Sequence, residues 1–224
     1  MQADVGSGSK LSSQSQAVPD SVNQVSGVIA EEDLLRAQVY GLLARVLAGP
    51  MSDETLEIVR GLNDVEGGSG IGAAMKALGD VAIRTPRGKA EEEYSALFHG
   101  MGSGGEIHPY ASYFLTGFIY EKPLADLRND LAELGIDRSG VSEEPEDHIA
   151  FLCEVMHGLI TGAFGAPAPL ERQREFFNRH MSTWAIKVFE DLESAKSAAL
   201  YMPVGTIGKL FMAVEAEAFG MVAA

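Results

Sequence analysis

Apolar side chains at Ile149, Leu152, Cys153, Met156, Leu159, Ile160 and Phe164 recur at the three- and four-residue spacing of a helix that buries one face. They follow directly on Glu144-Pro145-Glu146-Asp147-His148, a proline and acids of the kind that open a helix. The pattern predicts a central helix over about 145–164, with Asp147 and His148 where the buried stripe meets the rim. A carboxylate beside an imidazole there serves as a binding site or as a hydrogen-bonded brace, and the residue types by themselves favour the brace.

The same reading orders the rest of the chain. Glu31-Glu32-Asp33 begins a helix at its favourable end, Leu34, Leu35, Val39, Leu42, Leu43, Val46 and Leu47 give it a wide stripe, and Gly49-Pro50 stops it. Ser52 caps a second helix carrying Leu56, Ile58, Val59 and Leu62, with Thr55 in the place of a capping-box glutamate. A glycine-rich link leads to a helix over 73–83, and another follows over 89–98, where Ala90, Tyr94, Leu97 and Phe98 share a face. The glycine-dense stretch 99–108 reads as a loop. Pro109 then starts a short aromatic helix that could run to Tyr120, and Pro123 opens one with Leu124, Leu127, Leu131 and Leu134 that Gly135 ends. Beyond Pro167 and Pro169, Leu170, Phe177, His180, Met181 and Trp184 trace a stripe, 187–199 continues the helical pattern, and 200–219 supplies the last helix. No β-branched alternation bounded by turns occurs. The expectation is an all-α, single-domain bundle of about nine or ten helices over 29–224, stabilised by tertiary packing because such helices are marginal alone. Residues 1–28, dominated by Ser, Gly, Gln, Ala and Val without a period, read as a disordered tail.

Charge narrows the partners. The 224 residues carry a formal net charge of -15, which disfavours nucleic acid and anionic membrane surfaces and points toward basic partners. Cys153 is the single cysteine, on an apolar face, so no disulfide can form within the chain and the side chain reads as a small buried hydrophobe. No run reaches the roughly 18 apolar residues of a membrane helix, and the N-terminus lacks an apolar core behind positive charge. No stable membrane insertion and a cytoplasmic location are expected.

Catalytic motifs are thin. Gly100-Met101-Gly102-Ser103-Gly104-Gly105 matches G-x-G-x-x-G but follows a helix instead of a strand, which favours a flexible connection over a dinucleotide site. Glu154 and His157 form one Glu-x-x-His pair, whereas di-iron bundles need two pairs and further glutamates. No G-x-S-x-G elbow occurs, and Cys153 has no base beside it in the pattern. His180 and Trp184, four apart, read as a packing pair at the core edge. No catalytic residue, metal site or cofactor is expected on these grounds.

Three blocks together resemble the TorD/DmsD/NarJ family, the cytoplasmic chaperones that mature molybdenum-containing oxidoreductases. Glu93-Tyr94-Ser95-Ala96-Leu97-Phe98-His99-Gly100 is similar to the family's acid-aromatic-x-x-Leu-Phe-x-Gly block. Pro109-Tyr110-Ala111-Ser112-Tyr113 resembles its Pro-Tyr-x-Ser-x-Tyr segment with one residue fewer, and Glu144 to His148 resembles its Glu-Pro-x-Asp-His signature. Phe177, His180 and Trp184 keep the register of a further Phe-x-x-His-x-x-x-Trp pattern. The likeness runs from about 31 to 220. It implies a TorD-like helical fold that binds the twin-arginine signal peptide and the apoprotein of such an oxidoreductase, without catalysis. A hinge loop such as Gly100 to Gly105 permits helix exchange between protomers, so a monomer or a helix-swapped dimer is expected. The peptide site is then expected at Tyr94, Leu97, Phe98, Pro109, Tyr110, Tyr113, Glu144, Asp147, His148 and Trp184. Tyr94, Phe98, Tyr110 and Tyr113 would line or support an apolar groove, with Asp147 and His148 at its polar mouth.

The chemistry of such a peptide suits the chain. An exposed ion pair is worth about 1 kcal/mol or less, whereas burying a Leu-sized side chain yields roughly 1.5–3 kcal/mol, so apolar burial should dominate affinity. Ordering the peptide leaves a net near micromolar, about -8 kcal/mol. The alternatives from other classes are a helical metal-dependent enzyme built on Glu154, His157 and nearby carboxylates, and a helical interaction module indifferent to signal peptides.

Overall fold

The computed structural model describes residues 29–68, 70–100, 104–136 and 144–221; the tail reading for 1–28 lies outside them. Among the described residues the chain is all-α, with ten α-helices and no strand: α1 (Glu31–Leu47), α2 (Asp53–Arg60), α3 (Ile71–Arg84), α4 (Arg87–Tyr94), α5 (Ala111–Thr116), α6 (Lys122–Glu133), α7 (Ile149–Thr161), α8 (Leu170–His180), α9 (Ala185–Ser194) and α10 (Met202–Met221). A 3-10 turn, Gly61–Asp64, follows α2, and a π turn, Ser95–His99, follows α4.

The axis is α7. Ile149, Leu152, Cys153, Val155 and Met156 are all fully buried, so this helix is apolar on several sides and packs within the protein instead of at its edge. Along it lies α1, whose Ala37, Tyr40, Leu43 and Leu47 face inward. The C-terminal α10 packs against α9 and α3, and its small residues allow close approach: a Cβ on Gly208 would lie 2.1 Å from the Phe189 ring. One contiguous apolar core results, running from Ala37 to Phe219.

A buried ion pair ties the first helix to the last. The Arg36 guanidinium donates to both Glu215 carboxylate oxygens at 2.7 and 2.8 Å, and to Asp33 and Gln173, while the Tyr40 hydroxyl donates to Glu215 at 2.9 Å. Glu215 is only 1% exposed, so each lone pair it turns inward needs these donors.

Several boundaries differ from the sequence expectation. The central helix begins at Ile149, not near 145, because the 147–149 backbone is engaged elsewhere, and Gly162 in the left-handed region (φ 79) ends it before Phe164. Phe164, expected in the stripe, is 46% exposed and folds back so that its ring covers Gly158, where a Cβ would meet it at 2.1 Å. The aromatic helix stops at Thr116 with Gly117 at φ 85, and Tyr120 itself adopts φ 64, which no helix tolerates. In α1, Leu34 and Leu35 point outward at 43% and 57% exposure. Ser52 does cap α2, its hydroxyl accepting from the Thr55 N–H at 3.1 Å.

Removing one partner of the α1–α10 pair leaves a buried charge. Arg36→Met is expected to cost about 3 kcal/mol in urea unfolding, and Arg36→Met with Glu215→Leu to recover most of that loss.

Candidate functional site

Two short segments, 109–112 and 147–149, meet side by side as an antiparallel bridge between Tyr110 and His148. The Ala111 N–H donates to the Asp147 carbonyl at 3.0 Å, and the Ile149 N–H donates to the Pro109 carbonyl at 2.8 Å. Each segment runs straight into a helix, so the bridge sets the starts of α5 and α7 against each other. The side chains cap both. Asp147 Oδ2 accepts from the Ser112 N–H at 2.7 Å and from the Ser112 hydroxyl, satisfying an amide at the open end of α5. His148 Nδ1 accepts from the Ala150 N–H at 3.1 Å and caps α7.

Accepting at Nδ1 requires a neutral imidazole with its proton on Nε2. Burial pushes the His148 pKa down to about 4, against the opposing charge of Glu144. The Tyr110 ring meets the imidazole edge-on at 5.2 Å, and its hydroxyl donates to the Glu144 carboxylate. Burial and then Glu144 raise the Tyr110 phenol well above its ordinary range.

A second group is aromatic. Tyr94 packs on Phe98 at 4.7 Å and on Tyr201 at 5.9 Å, and its hydroxyl donates to the Leu47 carbonyl at 3.3 Å. Burial, followed by the charge of Glu144, lifts the Tyr94 phenol to about 12. Glu93, next to it, was not expected as a site residue. Its carboxylate accepts from the backbone N–H groups of Ala199, Leu200 and Tyr201 at 2.8–3.1 Å and fixes the entry to α10. The acid that opens the acid-aromatic block was the available signal.

The structure thus brings Pro109, Tyr110, Glu144, Asp147 and His148 together, with Tyr94, Leu97 and Phe98 in a neighbouring cluster. Trp184 stands apart; its indole donates to the His180 carbonyl at 2.6 Å, and Phe114 packs on it at 5.7 Å. Tyr94, Leu97, Pro109, Asp147, His148 and Trp184 are buried, so they stand behind the surface; Phe98, Tyr110 and Glu144 are half-buried. Tyr113 is exposed and stacks on His108 at 4.3 Å.

What reaches solvent is a run the sequence reading missed. Leu115, Phe118, Ile119 and Tyr120 are 50%, 69%, 44% and 63% exposed, continuing from Tyr113. A run of large apolar side chains this exposed and this close in sequence is the feature of the described surface that burial within the chain does not account for. Beside it opens a small cavity of about 120 Å³ lined by Leu115, Pro123, Asp126, Asp147, Arg179 and His180 among others. Asp147 Oδ1, the oxygen not used in capping, has no hydrogen-bond partner there. His180 bonds Asp130 at 2.6 Å, and burial lowers its pKa although Asp130 opposes this.

Other candidates settle into structural roles. Cys153 is fully buried, and burial pushes its thiol far up, so it packs as a hydrophobe. His157 Nδ1 lies 2.8 Å from the Ala37 carbonyl, and Glu154 is exposed. Among the described residues no three His, Cys, Asp or Glu side chains gather in a way that could hold a metal ion, and no helix is long and apolar enough to cross a membrane. Met101, Gly102 and Ser103 of the glycine-rich match lie outside the described residues.

Comparison with known proteins gives concordant results. Residues 66–190 match the family model described as nitrate reductase delta subunit, a span containing all the blocks above. The chain is 24% identical over 200 residues to a chaperone protein TorD from Vibrio atlanticus (strain LGP32), covering 81% of this chain and 93% of that protein. Its fold is similar to the crystal structure of a protein from Archaeoglobus fulgidus described as a redox enzyme maturation protein, with TM-score 0.55, 17% identity, and coverage of 80% of this chain and 94% of that one.

Two outcomes follow from the bridge. Asp147→Ala strips the cap from α5 and leaves a buried N–H unpaired; a loss of about 2 kcal/mol is expected in chemical unfolding. His148 binds a proton more readily unfolded, near 6.5, than folded, near 4, so its contribution is complete above pH 6.5 and is lost as pH falls toward 4. His148→Asn retains a capping oxygen without the titration, and its stability should fall less over that window than wild type, by up to about 3 kcal/mol at the acid end.

Proposed function

This chain belongs to the nitrate reductase delta subunit family, the TorD/DmsD/NarJ group, and on that footing we propose that it is a cytoplasmic maturation chaperone. It holds the apoprotein of a molybdenum-containing oxidoreductase, together with the twin-arginine leader of that enzyme, until the cofactor is in place, and it performs no catalysis of its own. The name of the Vibrio atlanticus relative supports the chaperone reading.

The observation that carries the leader assignment is the exposed apolar run from Tyr113 to Tyr120 beside a small cavity edged by Asp126. A leader offers leucine-like side chains next to guanidinium groups. The first would cover the apolar run, and the second would find the half-exposed Asp126 at its edge, with the net charge of -15 drawing the basic end in. In this reading Asp147, His148, Tyr110 and Glu144 act mainly as a scaffold that holds α5 and its exposed tip in position, with Tyr94, Leu97, Phe98, Pro109 and Trp184 supporting from behind. The metal-enzyme alternative gains no support from the geometry, since His157 is already bonded to a backbone carbonyl of α1.

Titration calorimetry with a twin-arginine leader peptide should give a dissociation constant near micromolar, and a scrambled peptide much weaker binding. Phe118→Ser with Tyr120→Ser removes two exposed anchors and is expected to weaken leader binding at least about tenfold with stability unchanged. Equal binding of leader and scrambled peptides would refute the assignment.

A further inference from the structure

Tyr120 stands in a backbone conformation that glycine supplies elsewhere in the fold. Every other described residue with a positive φ is a glycine, Gly117 of the same turn among them, whereas Tyr120 holds φ 64. That region crowds a Cβ, and a bulky side chain loses stability there that glycine keeps. The connection imposes it. α5 ends at Thr116, α6 begins at Lys122, and the two helices pack together, so the chain must turn within the few residues between them. The Thr116 hydroxyl holds the turn, donating to the Ser112 carbonyl at 2.8 Å and accepting from the Phe118 N–H at 3.3 Å.

The Tyr120 side chain contributes little to the fold in return. It is 63% exposed, and among the described residues no aromatic ring packs on it and its hydroxyl makes no hydrogen bond. The cations around it are engaged: Lys122 bonds Asp126, and Arg128, close enough to feel the phenol, donates to Glu146 at 2.7 and 3.0 Å. No cation of the described chain lies over the ring. Glu121, next in sequence, is exposed and stands at the N-cap of α6, yet its side chain makes no capping bond and has no partner among the described residues. An open aromatic face and an uncommitted carboxylate are therefore neighbours at the tip. A strained backbone that carries a side chain without a folding contact points to a contact outside the chain.

We propose that Tyr120 is the residue by which this chain selects arginine over lysine in its partner, a guanidinium lying flat on the exposed phenol ring while Glu121 accepts from its edge. The inference rests on the leader reading and names the residue that gives it specificity. Two features select the occupant. Leu115 and Ile119 already offer apolar area at the same tip, so a purely aliphatic contact has no need of a ring in a conformation that disfavours one. A π face beside a carboxylate suits a cation instead. The type of cation follows from hydration and shape. An ammonium is compact and strongly hydrated and gains mostly from the carboxylate, whereas a guanidinium is planar and weakly hydrated, stacks on the ring and still donates in its own plane. Glu121 thus attracts both cations, and Tyr120 makes the difference between them.

Titration calorimetry on the full chain compares a twin-arginine leader peptide with the same peptide carrying lysine at both positions. Wild type should bind the arginine form about fivefold more tightly. Tyr120→Leu keeps the apolar area and should bring the two peptides within about 1.5-fold of each other, whereas Tyr120→Phe keeps the ring and should keep the preference. Glu121→Gln should weaken both peptides about twofold without changing their ratio. Tyr120→Gly relieves the backbone, so Tm should not fall and is expected to rise by up to about 3 °C. The inference is overturned if Tyr120→Leu retains the preference, if Tyr120→Phe loses it, or if Glu121→Gln leaves both affinities as they were. A Tm several degrees lower in Tyr120→Gly would make the ring a folding contact and also overturns it. Should wild type bind both peptides equally well, this inference falls and the leader reading stands; should it bind neither, both fall.

Discussion

The backbone exchange between 109–112 and 147–149 is the constraint on which the site depends. It joins segments that the sequence separates by 35 residues and makes each supply what the other's helix lacks: Asp147 caps α5, and Pro109 accepts from the first amide of α7. Because α7 is the buried axis of the bundle, whatever is tied to its start inherits its rigidity. α5 is only six residues long and would not persist by itself. Held by Asp147 and Ser112, it projects the Tyr113–Tyr120 run into solvent from a fixed base.

This arrangement separates holding from contacting. The polar groups at the bridge are nearly all committed to each other and to backbone amides, and the neutral, buried His148 carries no charge to offer a partner at physiological pH. Large apolar side chains stand exposed instead, on the tip after α5 and along the outer face of α1. A strongly acidic chain with uncovered apolar patches is suited to grip a basic, leucine-rich polypeptide: burial of the side chains supplies most of the affinity and the charges supply approach and orientation.

The helical class and the order of the elements were legible because their apolar stripes are strong and their stops are glycines and prolines. The Ser52 cap was legible for the same local reason. Partner choice was not. Pro145 suits a turn as well as a first helical turn, and only the position of Pro109 decides that residues 147–149 bond across to another segment before the helix begins. Likewise, Asp147 beside His148 reads as a brace, but nothing local says that the carboxylate serves a helix 35 residues upstream. The stripe of α1 is wider than one interface can cover, so which leucines stay outside depends on where α7 and α10 lie. The positive φ of Tyr120 and the fold-back of Phe164 onto Gly158 are tertiary outcomes with no local signature.

On the proposed reading, the chain grips a client leader at the tip after α5. Amide hydrogen exchange of the full chain, with and without a twin-arginine leader peptide, tests it most directly. The account expects slowed exchange concentrated at residues 113–120 and the adjoining start of α6, with the core of α7 unchanged. Slowed exchange confined to other surfaces, or none at any leader concentration, would contradict it.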